Sequence, residues 1–474
     1  MQKGFNEFKL EIEDENFIRS TWYNLVKLYE KRDDKLRHWL DNEQEYGAFK
    51  DVEALLSFTE PFLFTPTSFH RPEIDPRDFF ECLSNIYDYI DNTREQGSNK
   101  NDQFMGFDSE PYPRAKRLYV DYIDGAANVL LLSLDALEIS DFLVSSKNPD
   151  KNWILPDGLR NKMKKAVNSA FKVLMDSVIN DEGGARWAAI SGKVGSKVNV
   201  NLEDLDAYSN LVSTYYSYRA LKKLTEIPFY LIGNEFGVGA NSITPIKNIL
   251  SRVIFWVNSL YDQKLESYWL SNSRDSSPVI SSLYALEIIY TYNGDTLDNN
   301  EEVLNNANKV VKKLLQRFQD INEASAKFQV DVAYPYPRIE DGKVKGTESY
   351  DERRYIGAYL GIFALSKEKD PTIIETEAKK FEKATTEISA ALRDDWIDQS
   401  LSIWDDGRPL VYYANDAMFG LLHYYSSGQI MKISIREDIL RTKIKEYLTS
   451  TKFIDEFINQ LKKSGALETV GADK

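Results

Sequence analysis

Residues Asn201 to Leu224 read NLEDLDAYSNLVSTYYSYRALKKL. Acidic residues that can cap a helix open the stretch. Small, apolar and aromatic residues then occupy nearly every side for about six turns. A helix apolar almost all round is a buried helix, because no face is left for water. Helices with an ordinary one-sided stripe come before and after it. The stretch is therefore read as an inner helix with outer helices as neighbours.

The alternation recurs along the chain. The expected outer and inner helices are 16–40 with 51–62, 75–91 with 118–139, 157–180 with 204–224, 245–261 with 277–292, 301–321 with 350–365, and 372–395 with 412–425. A closing helix is expected over 436–463. Asp75-Pro76 and Pro156-Asp157 are helix starts, since a first-turn proline lacks only a donor the helix does not need. Inner helices repeat at irregular but recurrent intervals, the mark of a repeat architecture. The fold class is all-α: a single-domain (α/α)6 toroid of six outer–inner pairs. An open solenoid is the alternative, but it would leave one side of an inner helix in water.

The long connections run from outer to inner helices. They gather on one rim, at the N-terminal ends of the inner helices, where a site on a rigid scaffold is expected. One of them, Asp181 to Glu203, carries the glycine-punctuated SGKVGSKVNV, which suits a short β-hairpin.

Bulk composition narrows the function. The 474 residues carry a net charge of −15, which argues against a nucleic-acid surface. No apolar run is long enough to span a membrane. The lone Cys82 forms no disulfide within the chain and fits a reducing, cytoplasmic compartment. The 28 Tyr, 24 Phe and 8 Trp supply flat, partly polar surfaces for a ligand cavity. Among them Tyr215, Tyr216, Tyr284, Tyr355, Tyr359, Tyr413 and Tyr424 sit on inner helices.

Several rim clusters carry chemistry. Pro111-Tyr112-Pro113-Arg114 and Pro335-Tyr336-Pro337-Arg338 are one tetrapeptide used twice, three pairs apart. Across a ring mouth they would offer paired Tyr platforms and Arg forks; the plainer reading is two stiffened loops. Trp404-Asp405-Asp406-Gly407-Arg408 puts an aromatic, two carboxylates and an arginine in five residues. That set suits sugar stacking with acid/base catalysis, or a simple Asp-Gly turn. Asp416 and Asp124 are carboxylates inside mostly apolar helices, which need a partner, a capping role or a function. Trp187 and Trp269 complete the aromatic candidates for substrate binding.

The stretch SNLVSTYYSYRALKKL, preceded by Gly183-Gly184-Ala185-Arg186-Trp187, resembles the inner-helix repeat of the prenyltransferase and terpene cyclase toroids. Ala136-Leu137, Ala285-Leu286 and Ala364-Leu365 repeat its Ala-Leu ending. The resemblance implies a toroid. It would also imply Asp206 as a proton-donating acid, within Asp204-Leu205-Asp206-Ala207. Ala207 stands where those cyclases carry a further aspartate. The zinc ligands of the protein prenyltransferases are not matched, since Cys82, His38, His70 and His423 form no motif. No metal or cofactor is therefore expected. The (α/α)6 ring is also the scaffold of many glycosidases, lyases and epimerases.

Three readings follow. The first is an enzyme holding a sugar or oligosaccharide in the ring mouth, with Asp206, Asp405, Asp406 and Asp416 as acid/base candidates. Tyr112, Arg114, Trp187, Trp269, Tyr336, Arg338, Trp404 and Arg408 are its binding candidates. The second is a non-catalytic toroid that binds a protein or small ligand. The third is an isoprenoid cyclase working through Asp206.

Overall fold

The computed structural model describes 75–97, 123–145, 149–188, 193–194, 198–199, 211–227, 229–232, 236–238, 240–269, 278–292, 301–324, 336–340 and 343–348. It also describes the helical positions Val52, Leu55, Leu56, Phe58, Thr59, Leu63, Ile362, Leu365 and Ser366. All lie within the compact unit Lys9–Tyr424. These residues are mostly helical.

Seven long helices alternate between two kinds. Helices α1 (Pro76–Gly97) and α3 (Asp157–Ser177) bury a single stripe. In α3 it consists of Leu159, Met163, Ala166, Val167, Ala170, Val173 and Leu174, at helical spacing. Helix α2 (Ile123–Ser145) instead buries most of its 23 residues. Helix α4 (Leu211–Glu226) buries Tyr215, Tyr216, Tyr218, Ala220, Leu221 and Leu224. The four-residue α5 (Phe229–Ile232) follows, then the striped α6 (Ile243–Ser259). Every side chain from Ser281 to Tyr290 of α7 (Pro278–Thr291) is buried. Helix α8 (Glu301–Ala324) returns to one-sided burial.

The buried helices pack side by side, α2 on α4 and α4 on α7. The striped helices flank them, with α3 on α1 and α2, α6 on α4, and α8 on α7. Val52, Leu55, Leu56 and Thr59, also buried at helical spacing, reach the same layer through a Thr59–Asp135 hydrogen bond. Each fully buried Leu or Ile in this layer contributes on the order of 1.5–3 kcal/mol of transfer free energy. The three Ala-Leu pairs at 136–137, 220–221 and 285–286 are all core. A small residue beside a large one lets neighbouring helices approach closely.

Local chemistry sets the helix ends. Asp75 Oδ1 accepts the Arg77 N–H at 2.8 Å, and Pro76 takes the first helical position. Asp150 accepts the Asn152 N–H and caps the 3-10 turn Lys151–Trp153. That turn carries Trp153 onto Phe79, ring to ring at 5.4 Å. The expected ends at 91 and 139 are passed, since α1 continues to Gly97 and α2 to Ser145. The expected start of the third inner helix, around Asp204, lies outside the described residues.

Each of the flanking helices α3, α6 and α8 leads into a β-hairpin. After α3, β1 (Ile179–Asp181) pairs with β2 (Gly184–Arg186). A second, β3 (Lys193–Val194) with β4 (Val198–Asn199), lies in the glycine-punctuated segment where a hairpin was expected. After α6, β5 (Tyr261–Asp262) pairs with β6 (Ser267–Tyr268). After α8, β7 (Tyr336–Glu340) pairs with β8 (Lys343–Glu348). At the three hairpins other than β3–β4 the sequence predicts loops, and it carries the preceding helices to 180 and 261, whereas α3 ends at Ser177 and α6 at Ser259, so that Ile179, Asn180 and Tyr261 enter strands. The strands of β1–β2 and β5–β6, two or three residues each, are too short to show an alternating pattern.

Two hairpins are tied to the next buried helix in the same way. The Trp187 N–H donates to Thr214 Oγ1 at 3.1 Å, and the Tyr268 N–H to Ser282 Oγ at 3.0 Å. Both hydroxyls lie near the N-terminal ends of their helices, α4 and α7. Within the first hairpin, Arg186 is buried and forks onto Asp181 at 3.0 and 2.8 Å, holding that carboxyl below its usual range.

Gly184 makes this hairpin fit. Its φ is +119°, and an added Cβ would sit 2.7 Å from both the Arg252 carbonyl and Trp256 Cβ of α6. Gly184→Ala should therefore cost about 2 kcal/mol or more, through strain and backbone collision. Gly158→Ala, in open space on α3, should stay within about 1 kcal/mol of wild type. Urea denaturation midpoints check both. Equal small effects would sink the close-packing account of Gly184.

Candidate functional site

The buried layer is not wholly apolar. On α2, Asp124, Asn128, Asp135 and Glu138 lie within about 40° of one line, at 100° per residue. The opposite face carries Ser133 and Ser140. Ser133 Oγ is 2.7 Å from the Tyr87 hydroxyl of α1, and Ser140 Oγ donates to the Trp153 carbonyl. The polar stripe of α2 is therefore turned away from these flanking contacts.

Helix α4 answers this stripe with one cation, Lys223. Lys223 Nζ lies 3.2 Å from Asp135 Oδ1 and also donates to Glu138 Oε2. Asp135 Oδ2 accepts from Thr59 at 3.0 Å. Burial raises the Asp135 pKa, while Lys223 and Thr59 pull it down. Burial also works against the charge on Lys223, but Asp135 and Glu138 outweigh it and hold the ammonium protonated.

One turn earlier on α4 a second cluster meets α7. The Tyr215 hydroxyl donates to Glu287 Oε2 at 2.7 Å. Arg219 Nε lies 4.0 Å from Glu287 Oε1, and its guanidinium sits over the Tyr215 ring at 5.3 Å. Tyr284 packs against Tyr215 with ring centroids 4.7 Å apart. Ser282, bonded to hairpin β5–β6, is about 160° around α7 from Tyr284 at 100° per residue. The Tyr215–Glu287–Arg219 cluster thus combines a buried carboxylate, a donor hydroxyl, a planar cation and two aromatic faces. Such a set can hold a proton or grip a hydroxyl-bearing ligand.

The expected site residues fall out unevenly. Trp187 is a core residue: it is fully buried, and its indole N–H donates to the Leu174 carbonyl at 2.8 Å. Its large ring fills the junction of α3, β2 and α4, so no ring face is open for stacking. Trp269 is half-buried at the end of β6, its N–H donating to the Leu260 carbonyl. Tyr336 and Arg338 lie on β7, opposite Glu348 and Gly346 of β8. Tyr112, Arg114, Asp206, Trp404, Asp405, Asp406, Arg408 and Asp416 lie outside the described residues. Tyr215, Tyr216 and Tyr284 are buried in the helix layer. Asp124 opens α2 as described and accepts the Gly125 N–H.

Asp135, Glu138, Arg219, Lys223 and Glu287 were not singled out by the sequence reading. The signal for them was present: a charge inside a helix that is apolar all round needs a partner. What the sequence lacks is which partner, since Asp135 and Lys223 are 88 residues apart.

No family model matches the chain, and no curated protein does. Among solved structures, a D-mannose isomerase aligns over 89% of this chain and 100% of its own, at 10% identity and a TM-score of 0.48. An inactive variant of the α-1,6-mannanase of Salegentibacter sp. HEL1_6, in complex with α-1,6-mannotriose, aligns over 87% of this chain and 99% of its own. Its identity is 10% and its TM-score 0.45. Likeness this loose does not transmit chemistry, which has to come from the residues of this chain.

The paired charges make a stability prediction. Lys223→Met should cost about 3–5 kcal/mol, because it leaves Asp135 buried without its cation. Adding Asp135→Leu should recover much of that loss. A double-mutant cycle read by chemical denaturation checks this; strictly additive losses would remove the pair from the account.

Proposed function

We propose that the protein is an enzyme that binds a sugar or oligosaccharide, with carboxylates as general acid and base. The observation that carries this reading is the polar stripe of the buried helices. Carboxylates, a tyrosine hydroxyl, an arginine fork and aromatic faces share one layer there. Neutral polyols are held by such mixed donor–acceptor sets with an aromatic platform. An isoprenoid chain would call for an apolar, nearly uncharged lining, so the charged stripe favours the sugar. The chain is further proposed to close as a ring of six helix pairs and to work in the cytoplasm, where a lone cysteine stays reduced.

In this reading Asp206, Asp405, Asp406 and Asp416 supply the acid/base pair, and Glu287 joins them from α7. Tyr112, Arg114, Trp269, Tyr336, Arg338, Trp404 and Arg408 grip the ligand from the segments between helices. Trp187 is left out because its ring is core. Two carboxyl groups about 5–5.5 Å apart would retain configuration at a glycosidic carbon, and about 6.5–9.5 Å would invert it.

A thermal-shift panel of D-mannose, α-1,6-mannotriose, sugar phosphates and isoprenyl diphosphates tests the ligand class. A neutral sugar at about 100 times its dissociation constant should stabilise the protein by about 2.7 kcal/mol. A shift with isoprenyl diphosphates alone would overturn the sugar reading. For the chemistry, Asp206→Asn, Asp405→Asn, Asp406→Asn, Asp416→Asn and Glu287→Gln are assayed singly on the sugar that binds. Loss of the acid or base should lower kcat by about 100-fold or more. Full turnover in all five variants would refute the assignment.

A further inference from the structure

We draw no further inference here: the strongest candidate, the side-chain cluster of Tyr215, Arg219 and Glu287 between α4 and α7, belongs to the site already described.

Discussion

Lys223 between Asp135 and Glu138 is the interaction on which the helix layer depends. Burial of apolar area supplies most of the stabilising free energy, but it has no direction. Helices that are apolar all round slide and rotate against one another at little cost. A buried cation between two acids permits one arrangement only. Such a pair adds little net stability over an apolar replacement, yet breaking it is costly. Its effect is to fix which helices are neighbours and at what height. Asp135 extends the same constraint to a further segment through Thr59. Arg219 and Tyr215 repeat the device on the preceding turns of the same face of α4, against Glu287 of α7. One helix thus carries the charges that register both of its neighbours.

The hairpins supply the complementary constraint from the flanking side. Each of the first and third ends in a backbone N–H that meets a hydroxyl near the start of a buried helix. Gly184 lets the first hairpin press on the backbone of α6, and Trp187 fills the space behind it. The outer helix, the hairpin and the inner helix therefore lock as a unit. Segments that leave such a unit are held at fixed starting points, which is the condition for placing ligand-binding groups on them.

The candidate site was half legible. The rule that a charge inside an apolar helix needs a partner was available, and it pointed to Asp124 and Asp416. Applied to Asp135 and Glu287 it would have found the two clusters. Trp187 shows the opposite failure. A tryptophan after a glycine pair reads as a stacking surface, but only the packing of α3, β2 and α4 shows its ring to be enclosed.

By itself the sequence determined the kind of each helix and its approximate place, because helical periodicity is local and is written into consecutive residues. It also determined the starts at Asp75-Pro76, which Asp75 caps, and at Pro156-Asp157, where the proline's fixed dihedral precedes the helix without a side-chain cap. Tertiary structure alone decided which charges meet, since Lys223 and its acids are separated by more than eighty residues and any of several acids would have satisfied it. It also decided that the two- and three-residue strands of β1–β2 and β5–β6 pair, since these are too short to carry an alternating pattern.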